Sequence, residues 1–274
     1  ETVEKNDSSR AISILLLATI LSALIGPNVA NFTKNIISEH LYTGSYISLA
    51  VLLIIPVFLL VFYRTDNNPK TIKNTNSNQR SYLELLQNPI ILQAIVTAAF
   101  AYSMMSFIMT ATPISMYKMH GFTLGSTSIV IQLHIIGMFL PSLITGSLIK
   151  KYGHSAIIYS GSLIYLICIS LSFFDQTFIN YLIALILLGI GWNFLFIGGT
   201  SLLVLCYKDN EKFKVQGFND VIVFSIQSIA SLIAGYSILK FSWNQINTIC
   251  IPLILLIIIV SIRAEIYKKK LIIS

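Results

Sequence analysis

The chain holds 274 residues, 55% of them hydrophobic and only 11% charged, against roughly 25% charged residues in soluble globular domains. That balance, with a mean hydropathy of +0.79, excludes an ordinary soluble fold and places the chain in a lipid bilayer. The net charge of +7 sits in short basic groups between apolar runs and forms no continuous patch, so no nucleic-acid partner is expected.

The first residue is Glu1, and the polar opening ETVEKNDSSR has no signal-peptide pattern, so the chain is expected to begin partway through a longer protein. Eight apolar runs are long enough to span, at about 11–30, 46–63, 90–112, 125–149, 155–174, 178–206, 215–239 and 246–262. Backbone groups must be satisfied within hydrocarbon, and the runs lack two-residue alternation. An all-α, polytopic bundle of eight transmembrane helices is therefore predicted.

Lys34, Lys118 and Lys240 fall on one side of these spans, and the other fifteen lysines and arginines on the opposite one. By the positive-inside rule the basic side is cytoplasmic, and an even number of spans leaves both termini there, in the cytoplasmic (inner) membrane. Residues 64–88, rich in asparagine, lysine and threonine, read as a solvated cytoplasmic linker. It separates two helices in 1–63 from a six-helix unit in 89–274. Within that unit the third and sixth, fourth and seventh, and fifth and eighth spans begin about 88, 90 and 91 residues apart, a period that suggests two three-helix repeats. The second, fifth and eighth spans are nearly all apolar and read as lipid-facing. The third, fourth, sixth and seventh carry amides, a histidine, an aspartate and glycines, and read as interior helices.

Four of the spans hold residues that could carry chemistry. In the third, Ser103, Ser106, Thr110 and Pro113 follow one helical stripe with Tyr102 beside it, which suits a cavity wall; the hydroxyls could equally bond back to their own helix. In the fourth, His134 near mid-membrane could meet a solute or carry a proton, or simply be satisfied by a neighbouring helix. Ser142 and Gly146 read as a close-approach pair. The sixth places Gly189, Asn193, Phe196 and Thr200 on one stripe with Trp192 at its edge. Asn193 offers donors and acceptors, and Trp192 and Phe196 offer flat surfaces for stacking, against the alternative of plain helix packing. In the seventh, Gln216, Asp220, Gln227 and Ser231 share a stripe, and Asp220 is the carboxylate deepest in an apolar run; it serves either coupling or a helix N-terminus.

An enzyme is not expected, because no nucleophile elbow, phosphate loop or metal-ligand cluster is present in the sequence. Cys168, Cys206 and Cys250 stand singly as small apolar residues, so neither metal nor cofactor is predicted.

At this point the pattern resembles the major facilitator superfamily. ALIGPN (residues 23–28) looks like the Gly-Pro signature of that family's fifth helix, and the long basic connection looks like its central loop. GSLIKKYGH (146–154) is similar to the family's cytoplasmic loop motif at Gly146, Leu148, Lys151 and Gly153. It departs at Lys150, where the family has aspartate, and at His154, where arginine is frequent. TPISM (112–116), IQLHIIGMFLPS (131–142) and LLGIGWNFLFIGGTSLL (187–203) further resemble a bacterial branch with riboflavin-importer-like members.

The resemblance covers essentially the whole chain as helices five to twelve of twelve. It implies a secondary transporter that moves a small solute by alternating access, coupled to protons. Tyr102, Ser106, His134, Trp192 and Asn193 would then face the solute, and Asp220 and Gln227 would lie at a moving seam. The partners implied are the solute, the bilayer and N-terminal helices of the same protein, without which this chain would not transport. The competing reading is a membrane-embedded enzyme or a non-transporting scaffold.

Overall fold

The computed structural model describes residues 8–37, 42–62 and 79–273. Most of the predicted linker, with Lys5 and His40, lies outside them. By backbone contacts the chain divides into Leu21–Asn78 and a larger unit of Glu1–Ile20 with Gln79–Ser274.

Two helices open the chain, α1 (Ser8–Thr33) and α2 (Thr43–Phe62). They meet through the Ser45 hydroxyl, which donates to the Ala30 carbonyl at 2.6 Å. The amphipathic piece before the third span is a short helix, α3 (Tyr82–Gln87), opened by a reciprocal cap between Ser81 and Glu84. Asn88 then ends α3 and caps α4 (Pro89–Pro113), its side-chain oxygen accepting from the amides of Ile90 and Ile91 at 2.9 and 3.3 Å. Pro89 fits the first turn because no ladder partner is lost there. Removing this cap by Asn88→Ala is expected to cost about 1 kcal/mol, seen as a lower melting temperature in detergent with no change in helix content.

The remaining helices are α5 (Leu124–Phe139), α6 (Ser142–Tyr152), α7 (His154–Leu171), α8 (Phe178–Val204), α9 (Lys212–Lys240), α10 (Trp243–Ile249) and α11 (Ile251–Ile273). Seven of the described helical segments are long and apolar enough to cross a membrane, and α1, with 26 residues, stands where the first span is predicted. The structure refines three predicted spans. The third continues past Pro113 as a π-helical turn, Ile114–Met119. The fourth is broken at Leu140–Pro141, where proline removes a ladder donor. In the eighth, the break falls at Cys250 and Pro252 sits in the first turn of α11, where its missing N–H costs nothing.

The three-helix period is visible as packing. Helices α4, α5 and α7 open at residues 89, 124 and 154, and α8, α9 and α10 at 178, 212 and 243. The strongest contacts run crosswise between the two triplets: α4 with α8, α4 with α9, α8 with α5, α8 with α7, and α4 with α11. The first helix of each triplet is thus central. In its apolar stretch α4 is 72% buried and α8 56%, against 22% for α9 and 28% for the α5–α6 segment. Among the described residues, then, two of the four polar spans form the centre and two lie at its edge. Helix α9 turns Gly217, Asp220, Ser225 and Ser228 outward from the described bundle, so its polar residues mark an uncovered face.

Small residues set how closely the helices approach. A β-carbon on Gly189 of α8 would stand 2.5 Å from the His134 carbonyl oxygen of α5, and one on Gly199 would stand 2.8 Å from the Ala94 carbonyl oxygen of α4. Gly146, predicted as a contact residue, has open space where a β-carbon would project.

Candidate solute-facing site

Trp192 and Phe196 lie one helical turn apart on α8, so their rings stack, with centroids 4.9 Å apart and planes 10° from parallel. Tyr102 of α4 presents its edge to both at 5.4 Å. Phe224 of α9 meets Tyr102 at 5.8 Å, and Phe139 at the end of α5 meets Trp192 at 6.0 Å. Five rings from four helices therefore form one wall, with Trp192 buried, Tyr102 half-buried and Phe224 exposed. Each edge-to-face or stacked pair adds about 0.5–1.5 kcal/mol to packing.

A polar edge continues from this wall along the α4–α9 seam. The Gln227 amide donates to the Ser106 hydroxyl at 3.0 Å, and one turn on the Thr110 and Ser231 hydroxyls are 3.2 Å apart. Tyr102, Ser106 and Thr110 are spaced by one turn each, which carries the aromatic wall into the polar edge on a single stripe of α4. The predicted α9 stripe divides in two. Gln227 and Ser231 bond to α4, whereas Gln216 donates to the Tyr207 hydroxyl at 2.7 Å and Asp220 accepts from Asn219 at 3.1 Å on the exposed side.

His134 and Asn193 are placed differently from the wall. His134 is fully buried and its Nδ1 lies 2.7 Å from the Leu185 carbonyl oxygen. A carbonyl only accepts, so this nitrogen carries the proton and ties α5 to α8. Asn193 is also fully buried: its amide nitrogen donates to the Met138 carbonyl at 2.6 Å and to the Ser142 hydroxyl, and its oxygen accepts from Thr145 at 2.6 Å. Leu185, Gly189 and Asn193 are successive turns of one stripe of α8, the one facing α5. Trp192 and Phe196 form the adjacent stripe, facing Tyr102.

Sequence reasoning passed over several residues. Phe224 fills the seven-residue gap between Asp220 and Gln227, a position hidden by reading only polar residues on α9. Gln93 and Thr97, one turn apart on α4, are fully buried, and the amide of the one and the hydroxyl of the other have no partner among the described residues; the indole nitrogen of Trp192 is the same.

At the basic end of the bundle, the Arg80 guanidinium donates to both carboxylate oxygens of Glu211, with a shortest distance of 2.6 Å. It also donates to the Cys206 carbonyl at 2.9 Å, while Lys214 donates to the Arg80 carbonyl at 2.7 Å. Glu211 is 1% exposed. The hydrogen bonds from Arg80 hold its carboxyl down at about 2 and push Arg80 itself up. This half-buried pair fixes the segment that leads into α3 to the α8–α9 connection.

Comparison with known proteins bears on the family. The chain is 34% identical over 256 residues to the riboflavin transporter RfnT of Brucella anthropi, covering 92% of this chain. It is 29% and 30% identical to the uncharacterized MFS-type transporters YddS and YdeG of Bacillus subtilis, over 93% and 87% of this chain. The chain spans 63% of the length of RfnT and of YddS and 59% of that of YdeG. All three relatives are named as transporters and none as an enzyme. The sequence profile of the Major Facilitator Superfamily matches residues 1–204 and, in a second overlapping match, 94–271. Family match, relatives and the all-helical membrane bundle agree: the chain belongs to the major facilitator superfamily.

Proposed function

We propose that this chain is part of a secondary transporter that carries a flat, ring-bearing polar solute of the riboflavin type by alternating access. The observation carrying this reading is the stacked Trp192–Phe196 pair with Tyr102 across it, continued by the Ser106–Gln227 and Thr110–Ser231 edge. A flat heteroaromatic ring suits the rings, and a polyhydroxyl tail suits the hydroxyls and amide. The name of the Brucella anthropi relative supports the same class of solute.

In this reading Tyr102, Ser106, Trp192 and Gln227 contact the solute, and His134 and Asn193 act from behind the wall by holding α5 against α8. The six helices from Pro89 onward rock as one half. The exposed faces of α9 and α5–α6 supply the surface on which the other half moves, with the Asp220 carboxylate on that seam. Proton coupling through Asp220 is part of the proposal; it predicts that Asp220→Asn removes the pH dependence of uptake by the complete protein, N-terminal helices included. The asymmetry of the basic residues supports an inner-membrane location with both termini in the cytoplasm.

The test is riboflavin binding to the protein in detergent, followed by quenching of flavin fluorescence. Stacking of a flat ring on an aromatic side chain is worth about 1–3 kcal/mol, so Trp192→Ala is expected to weaken binding about tenfold or more, with Trp192→Phe closer to wild type. Equal affinity in wild type and Trp192→Ala would remove the ring wall from the site.

A further inference from the structure

We propose that Asn193 is a positioning residue that clasps the break between α5 and α6 and passes movement of the solute-facing wall on α8 to α6. The proposal rests on the reading that Trp192, its neighbour in the chain, meets the solute.

The break has a local cause. Pro141 has no N–H, so the Gly137 carbonyl loses its ladder donor. Bonds around it shorten to three-residue steps, from Leu143 to Leu140 at 3.3 Å and from Ile144 to Pro141 at 3.0 Å. Bends of this kind are pivots when something else sets their angle. Here the Asn193 side chain bonds on both sides of the pivot: to the Met138 carbonyl at the end of α5, and to Ser142 and Thr145 in the first turn of α6. Thr145 has one hydroxyl proton and two acceptors in reach, Asn193 at 2.6 Å and its own Pro141 carbonyl at 2.8 Å. The angle of the bend decides which it serves.

Helix α6 has little else to hold it. Thr145 is its fully buried residue; the rest are half-buried or exposed, and its far end carries Lys150 and Lys151. By contrast α5 is fixed to α8 by His134 and by the approach of Gly189. A shift of α8 under a solute pressing on Trp192 therefore carries α5 along and changes the hold on α6. The segment 142–152 becomes a hinged flap at the basic end of the bundle, released when the clasp opens.

Hydrogen exchange on the protein in lipid nanodiscs tests this, with Thr145→Val removing the hydroxyl at similar volume and Thr145→Ser restoring it. Interhelical hydrogen bonds in membranes average about 0.6 and reach about 1.7 kcal/mol. Exchange across 142–152 should therefore rise roughly three- to twentyfold in Thr145→Val, stay unchanged across α7 and α8, and return to the wild-type rate in Thr145→Ser. Saturating riboflavin should alter exchange in 142–152 of wild type and not of Thr145→Val. Unchanged exchange in Thr145→Val, an equal rise across α7 and α8, or no return with Thr145→Ser overturns the clasp. Riboflavin that binds without altering exchange at 142–152 in wild type overturns the coupling. Riboflavin that fails to bind counts against the solute reading, and the valine and serine comparison still decides the clasp.

Discussion

Gly189→Ala is expected to cost about 3 kcal/mol, the upper end of the usual range for overpacking, and to prevent recovery of a monodisperse protein in detergent. The added methyl would lie 2.5 Å from the His134 carbonyl oxygen and 2.8 Å from the Met138 amide nitrogen. Both are backbone atoms of a helix already bent at the next turn, so no side-chain rotation relieves the clash. The two helices must move apart, and the bonds from His134 to Leu185 and from Asn193 to Met138 lengthen with them. Gly146→Ala is the matched control, because its methyl enters open space and gains helix propensity. Fluorescence-detected size exclusion reads both, and a sharp, undiminished peak from Gly189→Ala would show that α5 and α8 are not in close contact.

Glu211→Ala is expected to lower stability by about 2 kcal/mol, somewhat less than for a fully buried pair broken on one side, because the Arg80 side chain keeps 28% exposure. The loss leaves the guanidinium without its carboxylate and frees Gln79–Arg80 from the α8–α9 connection. The direction with pH follows from the depressed carboxyl. Its folded value, about 2, lies below the ordinary 4.5, so the pair stabilises fully above about 4.5 and is lost as pH falls toward 2. Melting temperature followed by tryptophan fluorescence should therefore be flat between about pH 8 and 5 and fall below that range in wild type. Glu211→Ala should start lower and fall less. Parallel curves for the two proteins would remove this pair from the stability of the bundle.

The bundle itself is legible because the bilayer leaves few choices: uncharged runs of membrane-spanning length must be helices, and their spacing reports the repeat. The breaks were harder to read. Pro27, Pro56, Pro113, Pro141 and Pro252 look alike in sequence, yet Pro141 sits at a break, Pro252 opens a helix and Pro113 leads into a π-turn. Which of these occurs depends on what the neighbouring helix offers the freed carbonyls, and that is a tertiary fact. The same holds for Asn193. Its stripe on α8 follows from helical spacing, but Trp192 and Asn193 point to different neighbours although adjacent in the chain. The tie between Arg80 and Glu211 crosses 131 residues and leaves no local pattern, since each looks like a solvated charge in a polar connection.

If the ring wall of Tyr102, Trp192, Phe196 and Phe224 faces a solute path, water must reach it. With Cys168, Cys206 and Cys250 replaced by serine, a single cysteine at Phe224→Cys and one at Leu163→Cys on the exposed side of α7 are treated with a membrane-impermeant maleimide. The cysteine at 224 is expected to react and to be protected by riboflavin, and the one at 163 to stay unreactive in lipid. A cysteine at 224 as inert as that at 163, with or without riboflavin, would contradict a solute path at the ring wall.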